Sequence, residues 1–347
     1  MSLLLRALRG EDTPNAPMWI MRQAGRHLPE YRALKERHDF WTLARTPDLT
    51  TEVTMQPVRR YGMDGAIVFS DIMTPLPAMG ADLAFAPGPV LHAPIRSRAA
   101  VDALRVPHQD EIAPFLAEAL RLLRGELDGT GTALLGFAGA PLTLATYLVE
   151  GSGSKEYAHF RAFLRAEPGA AHALLEKLSE VTIRYLRMQI AAGAQAVQVF
   201  DSWAGLHDAV TYRTFGAVYA RRVLDALADA GVPRIYLALD AAHLEMEVAS
   251  LPADVLSVDW RRPLGTWRAA APHAVLQGNL DPAALLAPRD VLQAEALRVL
   301  EDGRGGAHVF NLGHGIFKET DPGAVAHLVD VVRSFDRHGD APARGTA

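Results

Sequence analysis

The chain has 347 residues, 49% hydrophobic and 22% charged, an ordinary globular composition with ample apolar material for a large core. Its net charge of −5 provides no basic field for nucleic acid, so an anionic ligand must be met by a local cluster of donors. The absence of cysteine excludes disulfides, thiolate zinc sites, iron–sulfur clusters and a thiol nucleophile, and is compatible with a reducing cytoplasm.

The first ten residues hold an apolar run too short, and too interrupted by charge, for a secretory signal. No run of about 18 uninterrupted apolar residues follows, so no membrane span is expected. In chain order, short runs rich in Val, Ile, Leu and Phe occur at residues 17–21, 66–69, 133–137, 196–200, 235–239, 255–258, 274–276 and 308–311. Each is too short for a stable helix and mostly unalternating, as expected of parallel strands buried on both faces. Between them the spacing predicts helices over 168–189, with Leu174, Leu175, Leu178, Val181 and Tyr185 on one stripe, and over 215–229, 288–300 and 323–335. Residues 80–108 are longer and richer in proline than an ordinary connection, and are expected to form an excursion with a hairpin and a short helix. About eight strands alternating with helices give an α/β protein. An open doubly wound sheet also fits, but no G-x-G-x-x-G follows the first run. The repeat number and length favour a single-domain (β/α)8 barrel of TIM type over residues 1–337. Residues 338–347 read as a flexible tail.

A barrel of this type carries its chemistry at the C-terminal ends of its strands. The residues just past the runs are Arg22-Gln23-Ala24-Gly25-Arg26, Ser70-Asp71, Ala138 to Pro141, Asp201-Ser202-Trp203, Asp240, Asp259-Trp260, Gln277-Gly278-Asn279 and Gly313-His314-Gly315. Asp, Ser, Asn and Gly are also ordinary turn and cap residues, and Asp240, Asp259 and Asn279 fit that description equally well. Two arginines spaced by Gln-Ala-Gly suit bidentate capture of carboxylates, with surface ion pairing as the alternative. Asp71 at a buried strand end needs donors or a cation, whether from a ligand or from Arg22 or Arg26. His314 lies between glycines in a loop expected to be uncrowded, and could contact a ligand or cap a neighbouring element. Tyr147 follows Pro141 in an apolar helix and could be core. Residues 151–155 suit a flexible turn first, with a mobile flap or an anion nest as alternatives. The histidines show no paired metal-ligand spacing, so no metal site is expected.

At these same residues the chain resembles the uroporphyrinogen decarboxylase family. Pro17-Met-Trp-Ile-Met-Arg-Gln-Ala-Gly-Arg26 is similar to its N-terminal signature, and Gly136-Phe-Ala-Gly-Ala-Pro-Leu-Thr-Leu-Ala-Thr-Tyr-Leu-Val-Glu-Gly151 to its second. Phe69-Ser-Asp-Ile72, Phe200-Asp-Ser-Trp-Ala-Gly205 and Asn311-Leu-Gly-His-Gly315 follow in family order, over roughly residues 1–335. Three positions depart from the pattern: Leu142 replaces an aromatic residue, His27 a common tyrosine, and Lys35 an arginine found in some members. The resemblance implies a distorted barrel, a cytoplasmic homodimer with facing clefts, and no metal or organic cofactor. It also implies conversion of uroporphyrinogen III to coproporphyrinogen III, with four acetate side chains becoming methyls.

In that setting Asp71 and Arg22 are the candidate catalytic residues. Arg22, Gln23, Ala24, Arg26, Asp71, Tyr147, Phe200, Ser202 and His314 are the candidate substrate contacts, with the backbone around Gln23 and Ala24 supplying donors. Phe200 suits an apolar wall against a macrocycle, or plain core, equally well. Two other functions compete. A barrel methyltransferase would usually need zinc held by His and Cys, which the missing cysteines disfavour. A tetrapyrrole carrier would keep the arginines without needing Asp71. A phosphate site at Gly303-Arg304-Gly305-Gly306 would precede the last strand and so lie on the opposite face.

Overall fold

The computed structural model describes residues 2–85 and 88–339. Its strands are β1 (Gly65–Ile67), β2 (Leu83–Phe85), β3 (Pro89–Leu91), β4 (Ala133–Gly139), β5 (Ala196–Asp201), β6 (Arg234–Ala238), β7 (Val255–Ser257), β8 (Val275–Leu280) and β9 (His308–Leu312). Seven form one parallel sheet in the order β1-β4-β5-β6-β7-β8-β9, with helices in the crossovers. All seven residues of β4 are buried, as a strand sandwiched between a barrel interior and a helical layer requires. The segment 80–108 forms the antiparallel β2–β3 hairpin and the helix Arg98–Ala103. The expected tail lies outside the described residues from position 340 onward.

The first apolar run departs from expectation. It forms no regular strand and makes a single parallel bridge, Met18 to Phe310. The reason is local: Gln23 N–H bonds back to Ile20 O at 2.9 Å, and Arg22 has a φ of 64°. That is a turn, and a turn cannot continue a ladder. The run nevertheless closes the ring. Phe310 N–H donates to Pro17 O at 2.9 Å on one side, and Asp64 N–H donates to Met18 O at 3.0 Å on the other. Side chains take over where strand pairing stops: Asp64 Oδ2 accepts from Met18 N–H at 2.8 Å, and Asn311 Oδ1 from Met21 N–H at 3.1 Å. The sheet and this segment together form an α/β barrel of TIM type.

A buried polar chain runs through its interior. Trp19 Nε1 donates to Gln277 Oε1 at 3.0 Å, and Gln277 Nε2 donates to Gln198 Oε1 and Ser257 Oγ, each at 2.9 Å. These groups come from the closing segment, β8, β5 and β7, so their mutual satisfaction fixes one arrangement of the ring.

The helices Pro168–Ala191, Arg289–Asp302 and Pro322–Ser334 occupy the expected segments. The segment 215–229 is not one helix. A wide turn at Arg213–Ala217 precedes Val218–Ala226, and a short 3-10 turn follows. Here the Tyr212 ring is fully buried against Gly216, where an added Cβ would stand 2.6 Å from it. Packing of that ring outweighs regular helical progression.

His308 is buried at the start of β9 and bonds through Nε2 to Gly278 O at 2.8 Å. Burial, with Arg337 and Arg268 nearby, lowers its pKa to about 4. The unfolded chain takes up this proton near pH 6.5 and the folded chain only near 4, so stability falls as pH drops between those values. Urea unfolding from pH 6.5 to 4 should show a steeper loss for the native chain than for His308→Gln. The difference approaches one proton, about 1.4 kcal/mol per pH unit; equal slopes would contradict the assignment.

Candidate active site

Parallel strands place all their C-terminal ends on one side, and the groups there are electrostatically coupled. Asp71 follows β1 in a tight turn. Its Oδ1 accepts from Met73 N–H at 2.9 Å, and its other oxygen has no hydrogen-bond partner among the described residues. Thr74 Oγ1 accepts from Asp71 N–H at 3.3 Å and bonds Ser70 Oγ at 2.8 Å, bracing the turn from below. Asp71 lies deep in the protein yet part of its surface is reachable by solvent, as at the floor of an open cleft. Burial raises its pKa, while the Met73 N–H and the nearby Arg22 cation pull it down.

Arg22 and Arg26 are exposed, and neither guanidinium forms an ion pair or hydrogen bond among the described residues. The surface ion-pair alternative is therefore not realised. Arg22 is held by strain and packing: its φ is positive, and it lies across Gly315, where a Cβ would stand 2.4 Å from its Cδ. A Cβ at Gly313 would meet Trp260 N at 2.6 Å. The loop around His314 is thus crowded, the reverse of the sequence expectation, and its glycines are needed for close approach. His314 is half-buried, with Nδ1 3.3 Å from Gly315 O. Burial and then Arg22 lower its pKa, so its ring is neutral at neutral pH and can donate or accept.

Tyr147, on the helix Pro141–Glu150, has its pKa raised, first by burial, and lies within the electrostatic reach of Asp71 and Arg22. Its ring packs edge-on to Trp203 with centroids 6.0 Å apart. Ser202 and Phe200 are half-buried at the end of β5, and Phe200 meets Phe137 edge-on at 5.6 Å. The loop N–H groups of Ala24, Gly25 and Arg26 have no acceptor among the described residues. Gln23 is otherwise employed. It is buried, its Oε1 accepts from Ile20 N–H and its Nε2 donates to Gly65 O, both at 2.9 Å, and its own N–H is spent on Ile20.

The doubtful residues resolve into turn chemistry. Asp259 accepts from Asp240 N–H at 2.7 Å and Arg261 N–H at 2.9 Å. Asn279 donates to Asp259 O and Arg262 O. Asp240 pairs with Arg261 at 2.5 Å, and both act on His314. Arg261 was not legible as part of this cluster, because no local pattern marks it. Residues 151–155 are tied at their start to the hairpin, through Leu91 N–H to Gly151 O at 2.7 Å and a bridge between Val90 and Ser152. His27 is buried and stacks on Tyr61, and Leu142 is buried core beside Gly216.

The chain is similar to known proteins over nearly its whole length. A family model described as uroporphyrinogen decarboxylase matches residues 1–335. The uroporphyrinogen decarboxylase of Nocardioides sp. is 46% identical over 339 residues, covering 97% of each chain. That of Geobacillus thermodenitrificans is 46% identical over 335 residues, covering 95% of this chain and 96% of its own. Among solved structures, a methyltransferase from Methanosarcina mazei superposes with a TM-score of 0.77 at 20% identity, over 95% of this chain and 97% of its own. At that identity the likeness concerns the fold alone.

The clamp made by Gln23 can be tested without a ligand. Gln23→Ala leaves Ile20 N–H and Gly65 O buried and unpartnered, and should cost about 1–3 kcal/mol. The urea midpoint should fall accordingly; an unchanged midpoint would show that the loop is held by other contacts.

Proposed function

The chain belongs to the uroporphyrinogen decarboxylase family, and from that premise we propose that it decarboxylates the four acetate side chains of uroporphyrinogen III to give coproporphyrinogen III and carbon dioxide. The observation that carries the proposal is Asp71. It is a deep carboxylate with one oxygen tethered and the other unpartnered, within the field of Arg22, and neither Arg22 nor Arg26 has a guanidinium partner among the described residues.

Loss of carbon dioxide leaves an electron pair, and something must accept it. In this reading the pyrrole ring is its own sink. A proton adds to the ring carbon next to the acetate-bearing carbon, giving an iminium-like cation. The bond to the carboxylate breaks, carbon dioxide leaves, and the electron pair forms an exocyclic methylene while neutralising the cation. Protonation of the methylene carbon and loss of the added ring proton restore the pyrrole with a methyl group. The net change is one proton consumed and one carbon dioxide released per acetate.

Asp71 accepts hydrogen bonds from the converging pyrrole N–H groups and stabilises the cation as it forms, a preorganised electrostatic role. Arg22 and Arg26 bind substrate carboxylates, and the free N–H groups from Ala24 to Arg26 add donors. Gln23 contributes by holding that loop in shape. Arg22 is also a candidate for proton delivery, but a guanidinium gives up its protons too reluctantly to be a good acid. A water molecule, or the substrate's own carboxyl group, carries the proton. Tyr147, Ser202 and neutral His314 hydrogen-bond the carboxylates that are not reacting, and Phe200 forms an apolar wall. The reading brings with it a cytoplasmic homodimer, as in the family resemblance. Among the described residues no helix is long and apolar enough to cross a membrane.

Anaerobic incubation with uroporphyrinogen should yield coproporphyrinogen, whereas unchanged substrate would leave only a carrier. Asp71→Asn keeps the shape and removes the charge, so turnover should fall about 100- to 1000-fold with folding intact. Near-normal turnover would remove the central role. Arg26→Ala should raise KM by about 10- to 100-fold with little change in Tm; an unchanged KM would take Arg26 out of the site.

A further inference from the structure

Asp201, the last residue of β5, is a carboxyl group with no exposed surface. No cation pairs with it among the described residues. Its partners are three hydroxyls from three other elements. Thr143, in the helix Pro141–Glu150, donates to Oδ1 at 2.7 Å. Tyr236, in β6, donates to Oδ2 at 2.7 Å, and Tyr212 approaches the same oxygen at 3.3 Å. The two phenol oxygens are themselves 2.9 Å apart. Thr143 Oγ1 also accepts from Trp203 N–H at 3.3 Å. The connection then continues into the cleft. The Trp203 ring lies 4.4 Å from that of Tyr157 and edge-on to Tyr147, and its indole N–H faces the Tyr147 oxygen outside good hydrogen-bond geometry.

We propose that Asp201 is a positioning residue that locks Tyr147 and Ser202 into a fixed spacing, so that the pair holds one substrate carboxylate while another acetate reacts. This rests on the tetrapyrrole reading of the cleft. Ser202 follows Asp201 directly, and Tyr147 lies one helical turn beyond Thr143, so a single carboxyl group governs both arms. Two acceptor oxygens facing opposite ways are needed for this, and an amide has only one. Neutral hydroxyls, in place of Lys or Arg, leave no buried cation to compete with Arg22 and Arg26 for substrate carboxylates. The Asp201 carboxyl and the three hydroxyls around it are all hydrogen-bonded, which makes the cluster specific as well as tolerable.

The test uses Thr143, because replacing Asp201 itself endangers folding. Thr143→Val keeps the shape and cuts the link. It should raise KM about tenfold or more, with a smaller change in kcat, and should release a larger share of partly decarboxylated intermediates. Thr143→Ser retains the hydroxyl and should restore both values, and Tyr236→Phe should show a milder form of the Val phenotype. A folded Thr143→Val with native KM and native product distribution would overturn the proposal, as would failure of Ser to rescue. The link is also readable without turnover, as the near-ultraviolet circular dichroism band assigned to Trp203 by a Trp203→Phe control. The Val variant should lose that band and the Ser variant should keep it; retention in Val would overturn the proposal. A native chain that releases no carbon dioxide would instead count against the decarboxylase reading, leaving the Trp203 band to judge the lock.

Discussion

Ring closure at the segment where strand pairing falters, by a few backbone bonds completed by side chains, is the constraint on which the rest of the structure depends. A closed parallel sheet leaves no unpaired edge, but the segment bearing Trp19 and Met21 turns before it can form a ladder. Its backbone donors are met by Asp64, Gln23 and Asn311, and its indole by Gln277. Unmet, these groups would each cost about 1–3 kcal/mol in the interior. The irregularity also has a use. A regular eighth strand would run straight past the rim, whereas the turn delivers Arg22, with its positive φ, over the barrel mouth.

The electrostatics of the mouth follow from that placement. Buried carboxyls are tolerated in two different ways. Asp71 is left partly open, with a cation nearby and one oxygen without an internal partner among the described residues, so that oxygen can meet a ligand. Asp201 is sealed and surrounded by hydroxyls, which suits a structural acceptor. For both, burial is the main influence raising the pKa. What distinguishes them is the company of Arg22. The same cation also helps keep His314 neutral, so the positive charge at the mouth is concentrated on guanidinium groups, whose planar forks match carboxylates.

Much of this was legible in the chain. Unalternating apolar runs separated by helical periodicity require a parallel sheet covered by helices, because only burial on both faces accounts for strands without polar alternation. Once a barrel is accepted, the residue after each run falls on one rim, so position groups Arg22, Asp71, Ser202 and His314 with Asp240, Asp259 and Asn279, and the family resemblance singled out the first four. Composition ruled out thiolate chemistry and a basic nucleic-acid field. The specific order of signatures carried the family.

What only the tertiary structure decided is which polar residue serves the fold and which faces the cleft. Gln23 sits between two arginines in sequence but points into the barrel wall, and Asp201 precedes Ser202 but turns away toward Tyr212 and Tyr236. The glycines flanking His314 looked like room and proved to be crowded by Arg22 and Trp260. Each outcome depends on partners tens to hundreds of residues away along the chain, such as Gly65 for Gln23 and Asn311 for Met21. Local periodicity records which face of an element is buried. It holds no record of which distant donor or acceptor will be waiting there, and that is settled only when the ring closes.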